Sequence, residues 1–222
     1  KKAIVPAIVT AGRSSVAVRM PRHPLFRRLL RVCGLPLAAP SANPFGYISP
    51  TTAQHVQESL GDKISHILDG GPCRIGVEST ILDLRDPLRP VLLRPGGIAR
   101  REIEAVLKRP VRTAKASRPA AAQAMIAPGL SSRHYSPRTP LQLHTRVSSA
   151  MIARASGRNA WLLMAKPPGK SGRNVFWLDA QGDVRRGARR LFAVLRMLDT
   201  GGWRHIHAER AAGGRGPVEA IN

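Results

Sequence analysis

Residues 109–140 hold six basic residues and no acid, and they are rich in Arg, Ala, Ser and Pro. Such a stretch reads as a linker. It divides the 222-residue chain into two parts, 1–108 and 141–222, each of which alternates strand-length and helix-length apolar runs.

In the first part, the β-branched run Ser15–Arg19 predicts a strand. Apolar positions 25, 26, 29, 30 and 32 predict a helix that ends at Gly34. Pro36–Ala39 reads as a short buried strand running into a polar turn. Ser49-Pro-Thr-Thr52 opens a helix that reaches Leu60, with a hydroxyl cap and Pro near the first turn. Ile64–Leu68, Ser79–Leu84 and Val91–Leu93 read as strands, the last two joined at Asp86-Pro87, and Arg101–Leu107 as a helix. In the second part the strands are Leu141–His144, Asn159–Ala165, Asn174–Asp179 and Trp203–Ala208. Helices are expected at Val147–Ser156 and at the amphipathic Val184–Leu198. This alternation favours a parallel, Rossmann-like sheet. No Gly-x-Gly-x-x-Gly follows a strand, so a dinucleotide site is not indicated.

Apolar residues make up 43 % of the chain, enough for packed cores, and no run of about 18 apolar residues exists for a membrane span. A soluble, cytoplasmic protein is expected. Cys33 and Cys73 lie 40 positions apart, too far for clustered zinc ligands, and read as reduced core or near-core thiols. The net charge of +23 is diffuse: 16 basic against 8 acidic residues over 1–108, and 14 against 5 over 141–222. A field of that sign attracts phosphate-bearing ligands and nucleic acid, although few aromatic residues are available to stack bases. Arg185, Arg186, Arg189 and Arg190 share one helix and read as a solvated face.

Five local clusters could carry chemistry. Ala39–Thr52 brings Ser41, Asn43, Ser49 and Thr51 around a tight turn before a helix N-terminus, where hydroxyls and free amides suit a carboxylate or phosphate; a capped turn without a ligand is the plainer reading. Asp69-Gly-Gly-Pro72 is a loop that lets backbone come close to a neighbour. Glu78-Ser-Thr80 sets hydroxyls at a strand start. Arg94-Pro-Gly-Gly97 sets a guanidinium beside a flexible turn, fit for a phosphate or simply for the surface. Arg133-His-Tyr-Ser-Pro137 stands out in the linker, as a nucleotide cover or as a docking anchor. No Ser-His-Asp order or metal-binding His pair is evident, so neither a catalytic residue nor a protein metal site is assigned.

Ala39-Pro-Ser-Ala-Asn43, Ser49-Pro-Thr51, Leu68-Asp-Gly-Gly-Pro72, Val77-Glu-Ser-Thr80, Leu93-Arg-Pro-Gly96 and His134-Tyr-Ser-Pro137 occur in an order that resembles the YrdC-like L-threonylcarbamoyladenylate synthases, in their two-domain form. The resemblance implies an α/β chain: a partial, twisted open domain over 1–108, a linker over 109–140 and a smaller Rossmann-like domain over 141–222. It implies a nucleotidyltransferase that makes threonylcarbamoyl-AMP and pyrophosphate from L-threonine, bicarbonate and ATP, for threonylcarbamoyladenosine in tRNA. Arg19, Ser41 and Ser79 match threonine-site positions. Ser15, Asn43, Thr51, Arg94 and Tyr135 match ATP-side positions. Mg²⁺ would accompany ATP, and a tRNA threonylcarbamoyl transferase would take the product. By the same resemblance the catalytic domain begins earlier than Lys1, so this chain reads as lacking its start. The alternatives are an inactive fragment, or a non-catalytic module binding nucleotide or double-stranded RNA on its basic surface.

Overall fold

The computed structural model describes residues 5–10, 12–114, 135–155, 157–213 and 218–222. Most of the expected linker, including His134, therefore lies outside the described residues.

The second unit is the better packed. Its strands β4 (Leu141–His144), β5 (Asn159–Ala165), β6 (Val175–Asp179) and β7 (His205–Glu209) form one parallel sheet in the order β4-β7-β5-β6. Parallel strands need crossover connections; α5 (Ser149–Arg154) and α6 (Val184–Asp199) supply two of them, and residues 166–174 join β5 to β6 without a helix. The pleat sorts β5 by parity. Ala160, Leu162 and Met164 face α6 with Leu191, Leu195 and Leu198, while Trp161 and Leu163 face Met151 and Ile152 of α5. Both helices start where a side chain caps a free amide. Ser148 accepts from the Met151 N–H, and Asp183 from the Arg186 N–H at 2.7 Å.

Beneath α5 lies an aromatic cluster. Trp161 stacks on His207 with ring centroids 4.4 Å apart, and His207 pairs with His144 at 3.0 Å between Nδ1 and Nε2. Trp161 Nε1 is buried without a hydrogen-bond partner.

The first unit has less regular structure. Strands β1 (Ile81–Asp83) and β2 (Val91–Arg94) are antiparallel, and β3 (Arg112–Thr113) adds parallel to β2. Asp86 makes the β1–β2 turn by accepting from the Leu88 and Arg89 amides. Helix α1 (Ala7–Thr10) precedes α2 (Pro24–Cys33), which ends on Gly34 in the left-handed region at φ 65°. Helix α3 (Ala53–Leu60) is capped by the Thr52 hydroxyl and runs into a 3-10 turn over Gly61–Lys63. Helix α4 (Arg100–Leu107) is anchored by Glu102, whose carboxylate accepts the Ala99 N–H at 2.8 Å. A last helical turn, α7 (Val218–Ile221), closes the second unit.

Three expected strands are absent among the described residues. Ser15–Arg19, Pro36–Ala39 and Ile64–Leu68 are not strands. Strand-like composition makes a strand only where a neighbour completes the hydrogen-bonded ladder. These segments have no such neighbour among the described residues, and Val18, Leu37 and Leu68 are exposed. Cys33 and Cys73 are free thiols, as expected, but both are exposed rather than core residues. Arg189 and Arg190 are not simply solvated either, because they donate to the carbonyls of Arg74 and Leu178. No described helix is long and apolar enough to cross a membrane.

The two units share a wall. Ile48, from the first unit, is 0 % exposed inside the second unit's core. Gly76 sits against the backbone of Arg189, so closely that a Cβ there would collide with main-chain atoms, and its φ is 79°.

Burial holds His207 below its ordinary pKa, and His144 and His205 add to the effect; burial and the nearby Arg196 do the same to His55. A depressed histidine favours its neutral form in the folded chain. Its contribution is complete above the unfolded value of about 6.5 and is lost as pH falls through the lower native value. Asp83 and Asp179 are also held low, first by the Arg85 side chain and the Asp183 N–H respectively, so their contribution is lost only in more acid solution. Thermal unfolding should therefore show a melting temperature that already drops between about pH 7 and about pH 5, and His207→Gln should flatten that drop.

Candidate active site

The site is built on the turns that flank β1 and β2. Gly96 lies against the backbone of Glu78–Thr80, where any Cβ would strike main-chain atoms, and the Gly97 N–H donates to the Glu78 carbonyl at 3.1 Å. That close approach lays Arg94 along the Glu78–Ser79 segment. The Arg94 Nε donates to the Ser79 carbonyl at 3.0 Å, Nη2 to Glu78 Oε2 at 3.4 Å and Nη1 to the Tyr135 hydroxyl at 3.0 Å. The other oxygen of Glu78 accepts the Ser49 hydroxyl at 2.7 Å. Ser49, Glu78, Arg94 and Tyr135 are thus one chain of hydrogen bonds.

Tyr135 holds φ 55°, uncommon for a residue with a Cβ. Its ring lies 5.9 Å from Phe192 of α6, and the Ser136 N–H donates to the Gly46 carbonyl. Burial raises its hydroxyl pKa, with Glu78 adding and Arg94 opposing. The neutral phenol at physiological pH keeps a proton to donate.

Arg94 and Tyr135 border a cavity of about 390 Å³ that runs between the units. Glu78 also lines it, together with the apolar Leu141, Leu162 and Phe192. A few convergent polar groups over an apolar floor suit a small ligand.

The other sequence candidates divide into two groups. Arg19 donates to the Ser79 hydroxyl at 3.3 Å, which joins two threonine-site candidates directly, and both adjoin the Arg94 cluster through Ser79. Asn43 and Thr51 lie on the turn leading to α3. The Asn43 amide donates to the carbonyls of Pro44 and Tyr47, and its Oδ1 is buried with no protein partner. Thr51 is buried, with its N–H and hydroxyl 3.2 and 3.3 Å from His55 Nδ1. Ser41 is exposed at the start of that turn, and Ser15 is half-buried four residues before Arg19. Neither Ser41 nor Ser15 is joined by a hydrogen bond to the Arg94 cluster. The expected Asp69–Pro72 loop is an Asx turn, with Asp69 accepting from the Gly71 N–H.

Glu78, which the sequence marks only as part of a motif, is central to the site, and Ser49 of the 39–52 cluster is bonded to it. The signal for Glu78 is that it is the one acid between Asp69 and Asp83, set beside two hydroxyls. Tyr47 gave no signal at all. Its hydroxyl donates to Asp199 Oδ2 at 2.9 Å, and Asp199 Oδ1 accepts the Thr139 N–H at 2.8 Å. Asp199 therefore fastens both the turn and the end of the linker to α6.

Residues 98–222 match the family described as threonylcarbamoyl-AMP synthase, C-terminal domain. The chain belongs to the threonylcarbamoyl-AMP synthase family. Residues 1–96 match the Sua5/YciO/YrdC family, described as telomere recombination. The threonylcarbamoyl-AMP synthase of Pyrococcus abyssi is 39 % identical over 217 residues, which cover 94 % of this chain and 62 % of that protein. The enzyme of the same name from Bacillus subtilis is 50 % identical over 135 residues, covering 61 % of this chain and 38 % of its own length. The chain therefore spans less than two-thirds of the length of these relatives. The crystal structure of P. abyssi Sua5 complexed with L-threonine superposes with a TM-score of 0.83 at 35 % identity, over 99 % of this chain and 65 % of the other. A His→Ala/Tyr→Ala double variant of that protein gives 0.82 at 33 % identity, over 99 % and 64 %. The two-domain α/β architecture expected from sequence is that of these structures.

Glu78 is the joint of the site, because it accepts from Ser49 on one oxygen and faces Arg94 with the other. Glu78→Ala leaves the Arg94 guanidinium, whose side chain is only 11 % exposed, without its counter-charge. Denaturant unfolding should show a loss of about 1–3 kcal/mol, the cost of stranding a buried polar partner, and Glu78→Gln should lose less.

Proposed function

We propose that this chain carries the ligand-facing groups of a threonylcarbamoyl-AMP synthase. The reaction joins L-threonine, bicarbonate and ATP into L-threonylcarbamoyl-AMP and pyrophosphate, and the product serves threonylcarbamoyladenosine formation in tRNA. The carrying observation is that Arg94 and Tyr135, hydrogen-bonded to each other, border a ligand-sized cavity, and that Ser79 links Arg94 to Arg19. The threonine complex of the P. abyssi relative supports the same reading.

Arg19 suits the threonine carboxylate, because a guanidinium offers two parallel donors to two oxygens. Ser79 beside it, and Ser41, suit the remaining polar groups of the amino acid. Arg94 suits a phosphate, with Tyr135 adding a hydroxyl donor. Asn43, Thr51 and Ser15 complete the ATP side.

The threonine amine attacks the carbon of bicarbonate-derived CO₂ and loses a proton, giving a carbamate. A carbamate oxygen then attacks the α-phosphorus, and the bond to pyrophosphate breaks. The side chains named here transfer no proton. They hold two anions in line and spread the developing charge. Mg²⁺ would arrive on the ATP phosphates and neutralise them, keeping most of its waters. That fits this donor set, because no cluster of three His, Cys, Asp or Glu side chains exists among the described residues to cage an ion.

The second reading, nucleotide or double-stranded RNA binding without catalysis, draws on the net charge of +23. Pyrophosphate release separates the two. Release that requires both threonine and bicarbonate is expected, with Arg94→Ala lowering kcat/KM about 100-fold and Ser41→Ala with Asn43→Ala abolishing ligand binding. Release indifferent to threonine, or salt-sensitive RNA binding untouched by those variants in a chain that releases no pyrophosphate, would sink the first reading.

A further inference from the structure

Arg196 sits near the end of α6, in the second unit, and is only 7 % exposed. All its guanidinium nitrogens donate into the first unit. Nη2 reaches the Ile48 carbonyl at 2.7 Å, Nε the Ser49 carbonyl at 3.4 Å and Nη1 the Ser59 hydroxyl at 3.0 Å. The guanidinium carbon also lies 4.9 Å from the centre of the Tyr47 ring.

Burying a guanidinium is costly, and an apolar side chain of similar size would glue two surfaces at less expense. What arginine adds is a rigid fork that fixes two acceptors at once. Here the fork spans two successive carbonyls, so it fixes the Ile48–Ser49 peptide and the one after it, on either side of Ser49. The Ile48 side chain grips the first of these peptides from the other side, fully buried in the second unit's core.

That peptide leads directly to the site. The Ser49 hydroxyl donates to Glu78, Glu78 faces Arg94, and Arg94 donates to Tyr135. Rotating the 48–49 peptide would withdraw the Ser49 hydroxyl and leave Glu78 free to swing, and Arg94 with it. We infer that Arg196 is a positioning residue: through Ile48–Ser49 and Glu78 it sets the pose of Arg94, so that the second unit completes the geometry of a site whose ligand-facing groups lie mostly in the first. The inference rests on the proposed function only in taking ATP as the ligand that Arg94 meets.

The test is a double-mutant cycle in ATP affinity, measured by calorimetry on the full chain with Arg196→Lys and Ser49→Ala. Each change alone is expected to weaken binding about tenfold, the cost of one lost buried hydrogen bond. Together they should weaken it no more than either alone, because the second acts on a link that the first has cut. Losses that multiply to about 100-fold would overturn the inference, as independent sites do. An Arg196→Lys affinity within about twofold of the unmodified chain would overturn it as well.

If the unmodified chain binds no ATP, the proposed function fails and hydrogen exchange decides the positioning role. The amides of Tyr47 and Cys73, which donate to the carbonyls of Pro44 and Thr51, should exchange at least about tenfold faster in Arg196→Lys, while β5 and β7 keep their rates. Unchanged rates at Tyr47 and Cys73 would overturn the inference. So would lost protection throughout β5 and β7, because Arg196 would then hold its own unit together rather than aim the other.

Discussion

A guanidinium taken out of water must find acceptors, and Arg196 finds them across the boundary between the two units. Much of the site geometry follows from this demand. The carbonyls of Ile48 and Ser49 have to point at α6, which directs the Ile48 side chain into the apolar core of the second unit. Tyr47 then lies between α6 and the end of the linker, with Arg138 also 4.9 Å from its ring and Asp199 accepting its hydroxyl. Apolar packing supplies the adhesion at this wall, and the polar groups supply its register.

The same economy governs the site itself. Glu78 joins Ser49 to Arg94, with one carboxylate oxygen accepting the Ser49 hydroxyl and the other facing the guanidinium. Two glycines make the approach possible. Gly96 lets the Arg94 turn lie on the Glu78–Thr80 backbone, and Gly76 lets the loop before it touch α6. An L side chain at either position meets main-chain atoms, which cannot rotate away.

The parallel sheet was legible in the sequence because its central strand β5 is buried on both faces. Ala160 through Met164 form a continuous apolar run, and the long helix Val184–Asp199 shows the helical period over its whole length. The first unit was legible where signals are local: Gly34 after α2, the Thr52 cap and the Asp86 turn. Ser15–Arg19, Pro36–Ala39 and Ile64–Leu68 were misread because a strand depends on a remote partner that composition does not report. The resemblance put Arg19 with Ser79 on the threonine side and Arg94 with Tyr135 on the ATP side; the contacts within each pair were not legible in the sequence. Arg196, Tyr47 and Asp199 were invisible, because their partners lie up to 152 positions away and no short pattern marks them. The buried face of α6 was readable in the sequence, and its buried arginine was not.

The stacking of Trp161 on His207 carries an optical consequence. A neutral imidazole is a weak quencher of indole emission, whereas a protonated one in contact with the ring quenches it strongly by accepting an electron. Because Trp161 is 2 % exposed, lies face to face with His207 and has His144 6.2 Å away, its emission responds to that histidine pair rather than to solvent. The second unit thus contains an intrinsic fluorophore that reports the protonation of its own core, without any label, and reports it separately from events in the first unit.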